Sequence, residues 1–245
     1  MSKSLGNFFT IRQITERYHP LSLRLFLLSA HYRTPLNYSV SQLESASDQL
    51  YYIYNTLQEC EDASSLAQDG AENEGGAEQE QNGEIVKLTQ EAEPLINKLK
   101  NEFQTKMSDD LNTAGILTGA FQEALRFMNV SLKALKNLKQ QQLQLFEWLV
   151  EVMEAVKKVL NTLGLLPSNT YSEVVQQLKA KALTRAGLSE DDVLHAIADR
   201  TLARKNKDFA RGDQIRLEME KKGIQIMDIG NESIWRPVAS KEQEL

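Results

Sequence analysis

Apolar residues recur at three- and four-residue steps through most of the middle of this chain, which restricts that region to packed helices. Val40, Leu43, Ala46, Leu50, Ile53 and Leu57 trace one such face, the spacing that lines one side of a 3.6-residue helix. Ile85, Leu88, Ala92, Leu95, Ile96 and Leu99 begin a second face that runs on to Phe103 and Met107. A third carries Ile116, Leu117, Ala120, Phe121, Ala124, Leu125, Met128, Leu132 and Leu135, and Asp110 is read as capping or preceding it. A fourth holds Leu145, Leu149, Val152, Met153, Val156, Val159, Leu160 and Leu163, with Gly164 and Pro167 as its stop. Such faces are stable only against one another, so a helical bundle is predicted over residues 39–165.

One tract breaks the pattern. Residues 61–84 hold eight Asp or Glu and no Lys or Arg, among Gly, Gln, Ser and Asn. So few large apolar side chains cannot offset the entropy of ordering, which predicts a disordered insertion and a helix ending near Cys60. Ahead of the bundle, residues 1–38 open on a small polar stretch and continue into a helix over Leu21, Leu25, Leu28 and Ala30. Pro20 suits an early position of that helix, and Pro35 ends it. Residues 166–188 read as a polar linker, with a partly helical stretch over Ser168–Gly187 as the open alternative.

Ser189 before Glu190, Asp191 and Asp192 is an N-cap with acids in the first turn, and the helix runs through Val193, Ile197 and Leu202. A second helix starts near Asp208 and stops at Gly223 after Lys221 and Lys222. Ile224-Gln225-Ile226 alternates, Gly230-Asn231 turns and Ile234-Trp235 returns, giving a short hairpin. The predicted fold is mainly α: a helical bundle, then a small C-terminal helix plus β-hairpin unit over residues 189–238 and a tail over 239–245.

Charge is distributed unevenly. The net charge is −6, yet residues 1–40 carry five basic side chains against Glu16 alone, and residues 193–238 carry nine basic against seven acidic. Both ends can therefore face phosphates, while the acidic tract is expected to sit away from them. The longest apolar cluster, residues 21–30, is interrupted by Arg24 and is too short for a bilayer, so no membrane partner is expected. Residues 1–7 show neither the apolar core of a secretory signal nor a transit pattern. Cys60 is the one cysteine, which precludes an internal disulfide and any zinc site needing two thiolates from this chain.

Two stretches carry chemistry. In Met1-Ser2-Lys3-Ser4-Leu5-Gly6-Asn7, hydroxyl residues flank a lysine whose flexible ammonium suits a polyphosphate; a frayed terminus is the competing reading. This stretch resembles the Lys-Met-Ser-Lys-Ser loop of class I aminoacyl-tRNA synthetases, without its first lysine. Three more stretches are similar to the cysteinyl-tRNA synthetases, in the same order: Tyr18-His19-Pro20-Leu21-Ser22-Leu23-Arg24 with His31-Tyr32-Arg33-Thr34-Pro35-Leu36-Asn37, then Asp109-Asp110-Leu111-Asn112-Thr113, then residues 203–216 with Gly223-Ile224 and Trp235-Arg236.

That resemblance implies a C-terminal portion of a cysteine–tRNA ligase, beginning inside the lysine loop. Lys3 is then the catalytic residue that meets the ATP phosphates, favouring charge that develops on them in the transition state. Residues 1–38 become a remnant of the catalytic domain with the lysine loop and a stem contact. Residues 189–238 become the anticodon-binding unit, and Arg204, Phe209, Asp213, Asp228 and Trp235 fall where the family places anticodon contacts. Single-stranded bases are read by stacking and by hydrogen bonds to their edges, which suits aromatic, guanidinium and carboxylate groups. For Phe209 and Trp235 the alternative is plain core packing.

ATP and zinc belong to the full-length family. None of His19, His31 and His195 is followed by Gly-His, so neither ligand is expected to be held by this chain alone, and no metal ligand is assigned. The expected partner is tRNA for cysteine, not DNA, with the chain a monomer. Its compartment is expected to be cytoplasmic, or a chloroplast or mitochondrion where a transit peptide precedes the family's N-terminal half. The other readings are a non-catalytic tRNA- or synthetase-binding module from a truncated paralogue, and a class I synthetase for another amino acid. His31 reads as a structural histidine against Tyr32 or backbone, and Lys133, Lys136 and Lys139 as a solvated face before a phosphate contact.

Overall fold

The described residues, 9–69, 83–136, 143–230 and 232–240 of a computed structural model, are helical apart from one hairpin and the connections. In chain order the helices are α1 (Ile11–Arg17), α2 (Pro20–Leu28), α3 (Val40–Asp69), α4 (Gly83–Ser108), α5 (Thr113–Ile116), α6 (Ala120–Lys136), α7 (Leu143–Thr162), α8 (Tyr171–Ala186), α9 (Glu190–Lys205) and α10 (Phe209–Lys221). Strands β1 (Ile224–Ile229) and β2 (Glu232–Pro237) follow. The predicted mainly α fold with a C-terminal hairpin is the observed one, and the chain divides into two compact units.

One unit takes in Leu28–Pro35 and Ile53–Ser172. Here α4, α6 and α7 pack pairwise, and the periodic residues do what their spacing demands. Phe121, Leu125 and Met128 of α6 are fully buried, as are Leu145, Val152 and Leu160 of α7 and Ile53 and Leu57 of α3. Cys60 lies in the same interior, where burial pushes its thiol up to about 12 and leaves it a neutral, weakly reactive group. The Tyr54 hydroxyl donates to the Leu165 carbonyl, and Asn129 Nδ2 donates to Thr56 Oγ1 at 2.9 Å.

Two expectations are corrected in this unit. Helix α3 continues nine residues past Cys60 to Asp69, because no Gly or Pro intervenes before Gly70 and its acids and serines tolerate an exposed helix. Residues 70–82 of the predicted insertion lie outside the described residues. The second concerns Asp110, which precedes α5 and α6 as one of its two readings had it, but does not cap them. It is Asn112 that accepts from the Gly115 amide at 2.9 Å to cap α5, and the Glu102 carboxylate takes the Ala120 amide at 2.9 Å to open α6.

Asp110 is instead held by the His-Tyr-Arg turn. Its carboxylate accepts from the Tyr32 hydroxyl at 2.7 Å and lies 3.2 Å from Arg33 Nε, while His31 stacks on Tyr32 at 4.9 Å. Those contacts hold Asp110 and Leu111 at φ 53° and 55°, in the left-handed region. Lys136 is tied to Glu59 at 2.8 Å, Lys133 is exposed, and Lys139 lies outside the described residues.

The other unit joins Met1–Leu27, Leu36–Tyr52 and Glu173–Leu245. The predicted linker 166–188 therefore contains α8, a full helix whose Val174, Val175, Leu178 and Ala182 are buried. Its polarity comes from the other face. Gln177, Lys181 and Arg185, at four-residue steps, reach His19 Nε2 (2.9 Å), the Thr15 and Glu16 carbonyls (2.8 and 2.9 Å) and the Arg17 carbonyl (3.0 Å). The carbonyls are those that the last turn of α1 leaves without helical partners, and two cations there also suit the helix dipole. Burial lowers the His19 pKa, its bond to Gln177 notwithstanding.

Residues 189–238 consequently do not stand apart, since they share this unit with α1, α2, α8 and the first half of α3. The backbone amide of Ser240 donates to buried Glu44 of α3 at 2.9 Å. Replacing Phe121 by Ala should cost about 3–5 kcal/mol, lowering the urea midpoint with little change in its slope.

Candidate nucleic-acid interface

The α9–α10 turn and the hairpin bring most of the candidate side chains together. Ser189 and Asp192 form a reciprocal capping box that starts α9, with Ser189 Oγ accepting from the Asp192 amide at 3.2 Å. Asp208 caps α10 by accepting from the Arg211 amide at 3.0 Å. Gly212 lets the two helices approach closely: a Cβ there would meet Arg204 Cγ at 3.2 Å. Antiparallel pairing runs from Ile224↔Pro237 to Ile229↔Glu232 and sets Asp228 opposite Ser233.

Asp228 is the centre of the cluster. Its carboxylate accepts from both terminal nitrogens of Arg200 at 2.7 and 2.9 Å, from Arg204 Nη1 at 2.6 Å and from Ser233 Oγ at 2.7 Å. Four acceptor positions are thus used. The bonds from Arg200 and Ser233, with the Arg200 charge and the bond from Arg204, hold the carboxyl well below its ordinary range. Asp228 therefore positions Arg204 and has no vacant lone pair for a base edge. Sequence reasoning missed Arg200, which is buried where Arg204 is half exposed. The signal was slight: two arginines four residues apart on one helix face repel mildly, which an acid beside them relieves.

Trp235 takes the core-packing alternative. It is 5% exposed and packs with Ala182, Val193, Met219, Ile224 and Ile226, with Lys179 Nζ 4.8 Å from the ring centroid. A small unit needs its large aromatic for a core, so this ring offers no face for stacking.

Phe209 behaves oppositely, at 59% exposed. Phe209, Asp213 and Leu217 follow at four-residue steps along α10 and are all exposed, while Gly212, Ile215 and Met219 turn inward. Arg204, Phe209 and Asp213 therefore lie on and beside one accessible helix face. Lys3 lies outside the described residues. Among the described residues no group of His, Cys, Asp or Glu is arranged to hold a metal ion, so zinc fits none of them. No helix among them is long and apolar enough to cross a membrane.

The clamp has a pH signature. Asp228 titrates below its unfolded value, so its contribution is present above about pH 4 and is lost as pH falls further. Asp228→Asn should lower the melting temperature at pH 7, and lower it progressively less as pH drops below 4, in thermal scans across that range.

Known proteins resemble this chain along most of its length. Residues 1–48 match the tRNA synthetases class I (C) catalytic domain. Over 97% of its length the chain is 49% identical to cysteine–tRNA ligase 2, cytoplasmic, of Arabidopsis thaliana, covering 45% of that protein. It is 46% identical to the chloroplastic/mitochondrial cysteine–tRNA ligase CPS1 homolog of Oryza sativa subsp. japonica, and 34% identical to the cysteine–tRNA ligase of Hydrogenovibrio crunogenus. Those matches again take in 97% of this chain, but 39% and 41% of the relatives. The chain thus spans less than half the length of the curated relatives it matches. The similarity runs along nearly the whole of this chain, and the proteins it is similar to are cysteine–tRNA ligases.

Proposed function

We propose that this chain carries the tRNA-reading part of a cysteine–tRNA ligase, with the α10 face and the neighbouring Arg204 meeting the anticodon loop. The carrying observation is the exposure of Phe209 and Asp213 one turn apart, beside an arginine fixed by Asp228. An exposed ring stacks on an unpaired base, an exposed carboxylate accepts from base amino or imino groups, and a held guanidinium donates to phosphate or to acceptor edges. In this reading Trp235 supports the site from within, and Asp228 orients Arg204. The whole protein would use ATP and cysteine to form an aminoacyl-adenylate and then load the terminal ribose of tRNA for cysteine. Lys3 is assigned to the ATP phosphates on its loop motif, and the chain alone is read as inactive in that chemistry.

Titration with a labelled RNA hairpin bearing the cysteine anticodon tests the reading. Phe209→Ala should weaken binding by about tenfold, within the 1–3 kcal/mol that base stacking contributes. Asp213→Ala should reduce discrimination against altered anticodons, and equal affinity of the wild type for every anticodon would sink the reading. Trp235→Ala should lower the melting temperature before it selectively affects RNA. ATP–pyrophosphate exchange by the chain should not exceed that of Lys3→Ala.

A further inference from the structure

Three helices among the described residues end in the same hydrogen-bonded turn, with a left-handed residue at its corner. At the end of α7 the amides of Gly164 and Leu165 return to the Asn161 and Leu160 carbonyls, and at the end of α8 those of Gly187 and Leu188 return to Thr184 and Leu183. At the end of α9 the amides of Lys207 and Asp208 return to Arg204 and Ala203, at 3.0 and 2.9 Å. The corner residue is glycine in the first two, at φ 65° each, and Gly223 at φ 83° plays the part after α10. In α9 it is Lys207, at φ 62°. A Cβ in this region crowds the following carbonyl, which is why glycine dominates such corners.

A lysine is therefore held where the fold favours glycine. The dipole of α9 does not account for it, since Arg204 and Lys205 already occupy the last turn. Its ammonium forms no ion pair among the described residues. What surrounds it in sequence is cationic: residues 204–211 hold Arg204, Lys205, Lys207 and Arg211 against Asp208 alone, in a chain of net charge −6. All of these side chains are exposed, and the turn leads directly into Phe209. Strain retained at an exposed, functional-looking corner points to function.

We infer that Lys207 is a phosphate contact for the RNA backbone next to the base stacked on Phe209, kept at the expense of a better helix end. This rests on the tRNA reading above. Lysine is apt there as a mobile point charge, which adds affinity and salt dependence without base preference.

The test pairs stability with binding in the full chain. Lys207→Gly should raise the melting temperature by about 1–4 °C, because the corner is relieved. It should also weaken binding of the cysteine anticodon hairpin about threefold to tenfold at moderate salt, and reduce the slope of log affinity against log salt by about one. Lys207→Asn, which tolerates the corner without charge, should lose the same affinity, and Lys207→Arg should keep it. Unchanged affinity and slope in Lys207→Gly would overturn this inference while leaving the tRNA reading intact. A lower melting temperature in that variant would also overturn it, since lysine would then be stabilising the helix end. Failure of the wild-type chain to bind the hairpin would overturn both.

Discussion

A guanidinium is among the hardest groups to remove from water, and Arg200 is nearly buried at the meeting of α9 and the hairpin. That is tolerable only because the Asp228 carboxylate meets it in a two-pronged geometry. The requirement propagates. Asp228 must stand at one register position of β1, so the hairpin cannot slip by a residue without stranding the charge and turning Trp235 out of the core. Arg204, one turn further along α9, shares the same carboxylate and so acquires a fixed position at an exposed edge.

A second set of charges ties the two ends of the chain into one unit. Lys181 and Arg185 bond the carbonyls at the end of α1, some 165 residues earlier in sequence. Arg185 also lies over the Tyr18 ring and 3.9 Å from Glu44, both buried; burial and the Glu44 charge raise the Tyr18 hydroxyl to about 12. Glu44 in turn takes the Ser240 amide. The segment that resembles the catalytic domain and the segment that resembles the anticodon unit are thus bonded within the same unit, and α8 is the element between them.

Much of the candidate site was legible in residue types. Carboxylates, arginines and aromatics concentrated in residues 204–236 were taken as a group, and the hairpin does bring Asp228 against Arg204. Their roles were not legible. Phe209 and Trp235 are chemically similar, and only packing distinguishes the exposed ring from the core ring. Asp213 and Asp228 differ in the same way: one is open to solvent, the other has its lone pairs filled by partners from α9 and β2.

Sequence by itself determined the helical periodicities, the glycine and proline stops and the hairpin, because each depends on residues within a few positions of one another. It also carried the family likeness. Tertiary structure decided that the polar stretch over residues 171–186, open to a partly helical reading, is a full helix with a buried face, since its polar groups answer carbonyls far away in the chain. It likewise decided which charge is buried and which ring is free. Burial and charge pairing are properties of distant neighbours, and local spacing does not encode them.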